Sequence, residues 1–92
     1  MDTTKIKAIL SAIKYKSLSK AAEEFSYTPS AFSHMADSLE DELGIKILTR
    51  TPQGIKLNKD GETLYSKLKA VVKAEKELKD LAKGLANKKQ TT

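Results

Sequence analysis

The side chains able to do chemistry in this 92-residue chain are one histidine, one run of carboxylates and a surplus of cations. A single His34 makes a two-histidine zinc site impossible and weakly disfavours a Ser–His nucleophile. With no cysteine there is no disulfide framework, thiolate cluster or thiol nucleophile. Glu40, Asp41 and Glu42 stand in a run without a histidine or metal partner nearby in sequence, so general acid–base work is not expected of them. A glycine-rich phosphate loop is missing too. An enzyme is therefore the least favoured class, and neither cofactor nor metal is expected. What remains is charge: 17 Lys+Arg against 12 Asp+Glu leave a net +5, and every cation but Arg50 is lysine. Gathered on one surface, such cations attract a polyanion; scattered, they only keep the surface solvated.

Their placement is uneven. Lysines dominate residues 1–20, acids alone occupy 21–45, cations alone occupy 46–59, and lysines return from Lys67 to Lys89. A neutral-to-acidic middle with basic flanks suggests a folded unit with basic edges rather than a disordered basic tail.

The elements that must position these charges follow from periodicity. Ile6, Ile9, Leu10 and Ile13 recur at helical spacing after a cap at Asp2 or Thr3. A short second helix begins at Ser17 or Ser19, with Leu18, Ala21, Ala22 and Phe25 inward. Thr28-Pro29 is a strong start signal, since threonine caps well and proline at the first helical position loses no hydrogen bond. The third helix turns Ala31, Phe32, Met35, Leu39 and Leu43 inward and ends at Gly44. Ser30, Ser33, His34, Asp37 and Ser38 fall on its other side. Ile45, Ile47, Ile55 and Leu57 then alternate with polar residues around the turn Thr51-Pro52-Gln53-Gly54, which predicts a two-stranded hairpin with a basic tip.

Asn58 can cap a last helix reaching about Ala86, its apolar stripe interrupted by Glu75. So long a stripe calls for a second helix, most simply its own copy. The expected organisation is a winged helix-turn-helix over 1–57, a linker and dimerisation helix over 58–86 and a disordered tail over 87–92. The fold class is all-α with a small β wing. One helix of such a motif fits the major groove of DNA, where its first side chains reach base edges, while the hairpin touches the adjacent backbone.

Three segments carry a resemblance: KSLSKAAEEF, TPSAFSHMADSLEDELGIKIL and RTPQGIKLNKDGE. Together they resemble the N-terminal DNA-binding domain of LysR-type transcriptional regulators, over roughly residues 2–85. That family commonly reads G-S-F-T-R-A-A-E, then S-Q-P-A-L-S-R-Q-I-x-x-L-E-x-x-L-G-x-x-L-F, then R-x-x-x-G-V-x-L-T-x-A-G. Ala21-Ala22-Glu23 and Glu40-x-x-Leu43-Gly44 favour it over MarR-like or molybdate-responsive winged helices.

The resemblance implies sequence-specific binding of double-stranded DNA by a homodimer that regulates transcription in a bacterial cytoplasm, at the nucleoid. It places base contacts at Pro29, Ser30, Ser33 and His34. Backbone contacts fall at Ser17, Ser19 and Lys20 and on the wing at Arg50, Thr51, Gln53 and Lys56. It assigns the dimer seam to Leu64, Leu68, Val71, Val72, Leu78, Leu81 and Leu85. A small-molecule effector would act through a C-terminal domain that these 92 residues do not contain. The departures are consistent in sign: Arg is common where His34 stands, a basic residue where Asp37 stands, and Arg at Gln53, so this reading surface is less basic than is usual.

Two other classes are open. A helical protein-interaction module could use the long amphipathic helix, but would not need the capped third helix or the hairpin. A membrane-surface helix would use the lysine-rich C-terminal stretch, which lacks the Trp and Phe that anchor such helices. The longest apolar runs are too short to span a bilayer, and MDTTKIKAIL does not look like a signal peptide.

Overall fold

The computed structural model describes residues 2–90. The order is α1 (Thr3–Tyr15), α2 (Leu18–Phe25), α3 (Pro29–Leu43), β1 (Leu48–Thr51), β2 (Gly54–Leu57) and α4 (Lys59–Gln90). Each early helix starts on a side-chain cap. Asp2 accepts from the Thr4 N–H, a bond that holds its carboxyl below the usual carboxylate range. Ser17 accepts from Lys20 and Thr28 from Ala31. The first three helices end on left-handed residues, Lys16, Ser26 and Gly44.

Small residues bring the first three helices together. Ala8 and Ala12 of α1, Ala21 and Ala22 of α2 and Phe32 of α3 form one buried cluster, with Phe25 edge-on to Phe32 at 5.5 Å. Ala31, expected inward, is exposed, because α3 turns Phe32 and Ala36 on the neighbouring face inward instead. The second cluster joins Ile6, Ile9, Ala36, Leu39, Ile47, Leu48, Ile55 and Leu68. It unites α1, α3, the hairpin and α4, so the wing is part of the core rather than an appendage.

The hairpin is antiparallel, with Leu48 opposite Leu57 and Thr51 opposite Gly54. It is shorter than the alternation of isoleucines predicts: Ile45 and Ile47 precede β1, the first exposed and the second buried. The reason is that the Ile47 N–H is already engaged. Glu40, buried at 3% exposure, accepts from the N–H groups of Ile47 and Leu48 at 2.6 and 3.1 Å. From the other side Asn58 donates its N–H to the Ile47 carbonyl at 2.9 Å and its side-chain amide to the Lys46 carbonyl at 2.8 Å. Asn58 thus keeps one backbone bond in the hairpin's register, while Glu40 takes the Ile47 N–H that a longer ladder would need.

Asn58 also caps α4, accepting from Gly61 at 2.7 Å. Gly61 is buried against this clamp; a Cβ there would lie 2.2 Å from the Ile47 carbonyl oxygen. The first half of α4 packs on the body, and at its middle Glu75 takes a hydrogen bond from the Thr3 hydroxyl and an ion pair from Lys7 at 3.2 Å. Beyond Glu75 the helix leaves the body, and residues 76–89 are all exposed. This arm accounts for the 58 Å long axis, against 28 and 20 Å for the others. The expected tail is corrected in part: residues 87–90 continue α4, aided by Lys88 and Lys89 in the last turn, where cations suit the helix dipole. Residues 91–92 lie outside the described residues. No helix among the described residues is long and apolar enough to cross a membrane.

Candidate nucleic-acid interface

The start of α3 is exposed. Thr28 spends its side-chain oxygen on the Ala31 N–H at 3.1 Å, and Pro29 occupies the first turn. Behind them Pro29, Ser30 and His34 are exposed on the outer face, and Ser33 is half-buried. Phe32 and Ala36, fully buried on the opposite face, lock the rotation of the helix and so fix which side faces outward.

The wing reaches that face through one residue. Arg50 on β1 donates to the Ser33 hydroxyl at 3.0 Å and to the Asp37 carboxylate at 2.6 Å. At the other edge of the hairpin the Ile55 N–H donates to the Lys16 carbonyl at 3.2 Å. Gly54 sits at φ +135°, and a Cβ there would lie 2.4 Å from the Lys16 carbonyl oxygen, so both the turn and the close approach require glycine. The hairpin is thus pinned between α3 and the α1–α2 junction.

This arrangement sorts the candidate backbone contacts. Ser19 and Lys20 on α2, and Gln53 and Lys56 on the wing, are exposed. Ser17 is half-buried and serves as the α2 cap, although its hydroxyl proton remains to donate. Thr51 donates to the Gly54 carbonyl at 3.0 Å and closes the turn, so its proton is spent inside the hairpin. Ser33 and Arg50, assigned to different contacts, are brought into direct contact with each other.

The electrostatics of the face are mixed. No Lys or Arg lies on α3, whose outer side carries His34, Asp37 and Asp41. Cations come instead from α2 and the wing: Lys20, Arg50 and Lys56. Among the described residues no group of three or more His, Cys, Asp or Glu could hold a metal ion.

A second surface lies on α4, and here the expected seam is divided. Leu68 is buried in the same core as Ile6 and Ile9, and Leu64 and Val72 pack half-buried against it. All three pack on the body, and Leu68, buried there, is not free for a dimer seam. The body therefore buries more of the long stripe than its length suggested. Val71, Leu78, Leu81 and Leu85 are 45–67% exposed and continue along the arm. Val71, Leu78 and Leu85 are spaced by seven, with Ala74 and Leu81 between, the spacing of a coiled-coil seam.

Three functional contacts escaped the sequence. Asp37 is a partner of Arg50, Glu40 is a buried clamp, and Glu75 is an anchor rather than a break in the stripe. Asp37 and Arg50 offered one signal, opposite charges flanking the acidic and basic segments, but their 13-residue separation has no periodic meaning.

Comparison with known proteins gives one family. Residues 3–62 match the model described as bacterial regulatory helix-turn-helix protein, lysR family. HTH-type transcriptional regulator DsdC of Escherichia coli is 41% identical over 59 residues, covering 64% of this chain and 19% of that protein. The probable HTH-type regulator LtrA of Klebsiella pneumoniae is 36% identical over 66 residues, covering 72% of this chain and 21% of that protein. The chain thus spans about a fifth of the length of the curated relatives it matches. Among solved structures, Vibrio fischeri DarR in complex with DNA superposes with a TM-score of 0.89 at 24% identity, over 95% of this chain and 30% of that one. The BenM DNA-binding domain with catB site 1 DNA superposes with a TM-score of 0.85 at 22% identity, over 94% and 97%.

Proposed function

The chain belongs to the LysR family of bacterial regulatory helix-turn-helix proteins, and from that premise we propose that it binds double-stranded DNA sequence-specifically, as a homodimer, to regulate transcription. The family is one of regulators rather than enzymes. The observation that carries this reading is the exposed start of α3, flanked by a wing pinned to it through Arg50. Pro29, Ser30, Ser33 and His34 read base edges. Ser19, Lys20, Gln53 and Lys56 meet the phosphate backbone beside them, joined by the Ser17 hydroxyl. Thr51 contributes by shaping the turn, and Arg50 is shared between the wing and the reading helix.

Dimerisation proceeds through Val71, Leu78, Leu81 and Leu85 of two arms. A two-fold pair of reading helices then addresses half-sites about one helical turn apart, or a multiple of that. A small-molecule effector acts through a domain that these 92 residues do not contain, and the site of action is the cytoplasmic nucleoid. Selection from a random duplex pool across a salt series tests the proposal. Enrichment of a dyad-symmetric sequence, with affinity falling steeply in salt, is the expected result. Absence of duplex binding even at low salt overturns it and favours a protein-interaction module built on the arm.

A further inference from the structure

The wing's arginine faces two competitors for its charge. Arg50 is the only arginine in the chain, and its guanidinium lies 2.6 Å from Asp37 and 3.0 Å from the Ser33 hydroxyl. A phosphate approaching the wing must share or displace this carboxylate. We infer that Asp37 is a specificity-determining residue: it competes with the DNA backbone for Arg50, and so weakens sequence-independent binding while fixing Ser33 for base reading. The inference rests on the proposed DNA-binding function.

Sequence-independent affinity comes almost entirely from cations that neutralise phosphates. An arginine already in a short, charge-assisted hydrogen bond gains less from a phosphate than a free one. Because Arg50 and Asp37 are both partly exposed, at 40% and 46%, the pair is open to exchange rather than locked in the core. Arg50 also sets the hydrogen bonding of Ser33. A serine hydroxyl is one donor and two acceptors. Arg50 occupies an acceptor position, so the O–H is left to donate outward. The O–H suits guanine O6 or N7, adenine N7 or thymine O4, and with one of its two acceptor positions taken Ser33 is tilted toward these edges and away from the amino groups of adenine and cytosine. Asp37 holds Arg50 in the place that sets this polarity.

The test measures binding of a mixed-sequence duplex by fluorescence anisotropy from about 50 to 200 mM salt, the range in which phosphate contacts dominate. The proteins compared are the wild type, Asp37→Asn, Asp41→Asn, Arg50→Gln and the Asp37→Asn/Arg50→Gln double variant. Asp41, an exposed acid about one turn further along α3, controls for the lost charge alone. Asp37→Asn should bind more tightly than wild type and more tightly than Asp41→Asn. Its log–log salt slope should be steeper than wild type by about 0.9, one phosphate contact, so that its advantage shrinks roughly three- to fourfold across the range. In the Arg50→Gln background the same substitution should give no steeper slope. If Asp37→Asn matches Asp41→Asn, or its gain survives without Arg50, the inference is overturned while DNA binding stands. If the wild type fails to bind duplex at the lowest salt, the proposed function itself falls and takes the inference with it.

Discussion

The two halves of α4 are built from the same residue types and behave oppositely. In the first half Gly61 and Leu68 are buried, Leu64 and Val72 are half-buried, and Glu75 is tied to α1. In the second half Leu78, Leu81 and Leu85 are more than half exposed. Leucine content does not separate them; rotation does. At about 100° per residue, Leu64, Leu68, Val72 and Glu75 share one face, while Val71, Leu78, Leu81 and Leu85 lie roughly a quarter turn away. One helix thus presents its first stripe to its own body and its second to something else. A segment as short as 76–90 is marginal as an isolated helix in water, so its stability depends on its attachment and on what covers its leucines.

The sharpest way to break this comparison is to truncate one leucine on each side. Leu68→Ala should destabilise the fold by about 2–5 kcal/mol, the range for a buried leucine in a core that cannot fully collapse. Leu81→Ala should leave the unfolding of the separated protomer unchanged and weaken self-association instead. Thermal melts at high dilution, paired with sedimentation at higher concentration, read the two effects apart. Equal losses of protomer stability would show that the arm is not the free element its exposure indicates.

Glycines give the next contrast. Gly61→Ala should cost about 1–3 kcal/mol or more, since the added Cβ meets the Ile47 carbonyl oxygen at 2.2 Å and the Leu57 side chain at 2.8 Å, and the backbone oxygen is already held by Asn58. Denaturant midpoints are the measurement. A neutral result would mean that the 46–48 clamp yields easily and does not fix where α4 starts.

How much of this was legible depends on the distance over which each feature is decided. Thr28-Pro29 and Gly44 bound α3 where local capping chemistry puts them, and Asn58 caps α4 as its type suggests. The wing turn falls at Thr51–Gly54, with Gly54 at positive φ. The outward placement of Pro29, Ser30 and His34 follows from helical period alone. Features decided by chain return were not legible. Glu40 sits among three consecutive acids and looks solvated, until residues 46–48 fold back and hand it two N–H groups. That same clamp shortens the hairpin. Ser17 and Thr51 are polar residues near the expected interface, yet part of their hydrogen bonding serves a cap and a turn. The partition of the α4 leucines depends on where α1 lies, which no spacing within α4 encodes.

Gly84 sharpens the comparison from the other side. It lies in the arm, and a Cβ there would meet nothing within 4 Å. Gly84→Ala should stabilise the helix by about 0.5–1 kcal/mol, the ordinary penalty of a helical glycine. Amide hydrogen exchange across 76–90 should slow, with the body unaffected. The same substitution therefore carries opposite signs at the two ends of one helix.

The smallest effect belongs to the point where the two halves meet. The Glu75 carboxyl is held below its usual range, chiefly by the hydrogen bond from Thr3 and then by Lys7. A carboxylate with a depressed pKa in the folded state stabilises above its unfolded pKa, and that contribution is lost as the pH falls through the folded value. At neutral pH, Glu75→Gln should loosen the anchoring of α4 on α1. Well below the carboxylate range the two proteins should converge, because the wild type then carries a neutral side chain too. The effect is small because Glu75 is only half-buried and water and salt screen its partners. Hydrogen exchange in the middle of α4, followed with pH, isolates it from global unfolding. A difference between the proteins that persists unchanged into acid would assign the anchor to packing by Val72 and Leu68 rather than to charge, and the boundary between the buried and exposed halves would then be set by the apolar stripe alone.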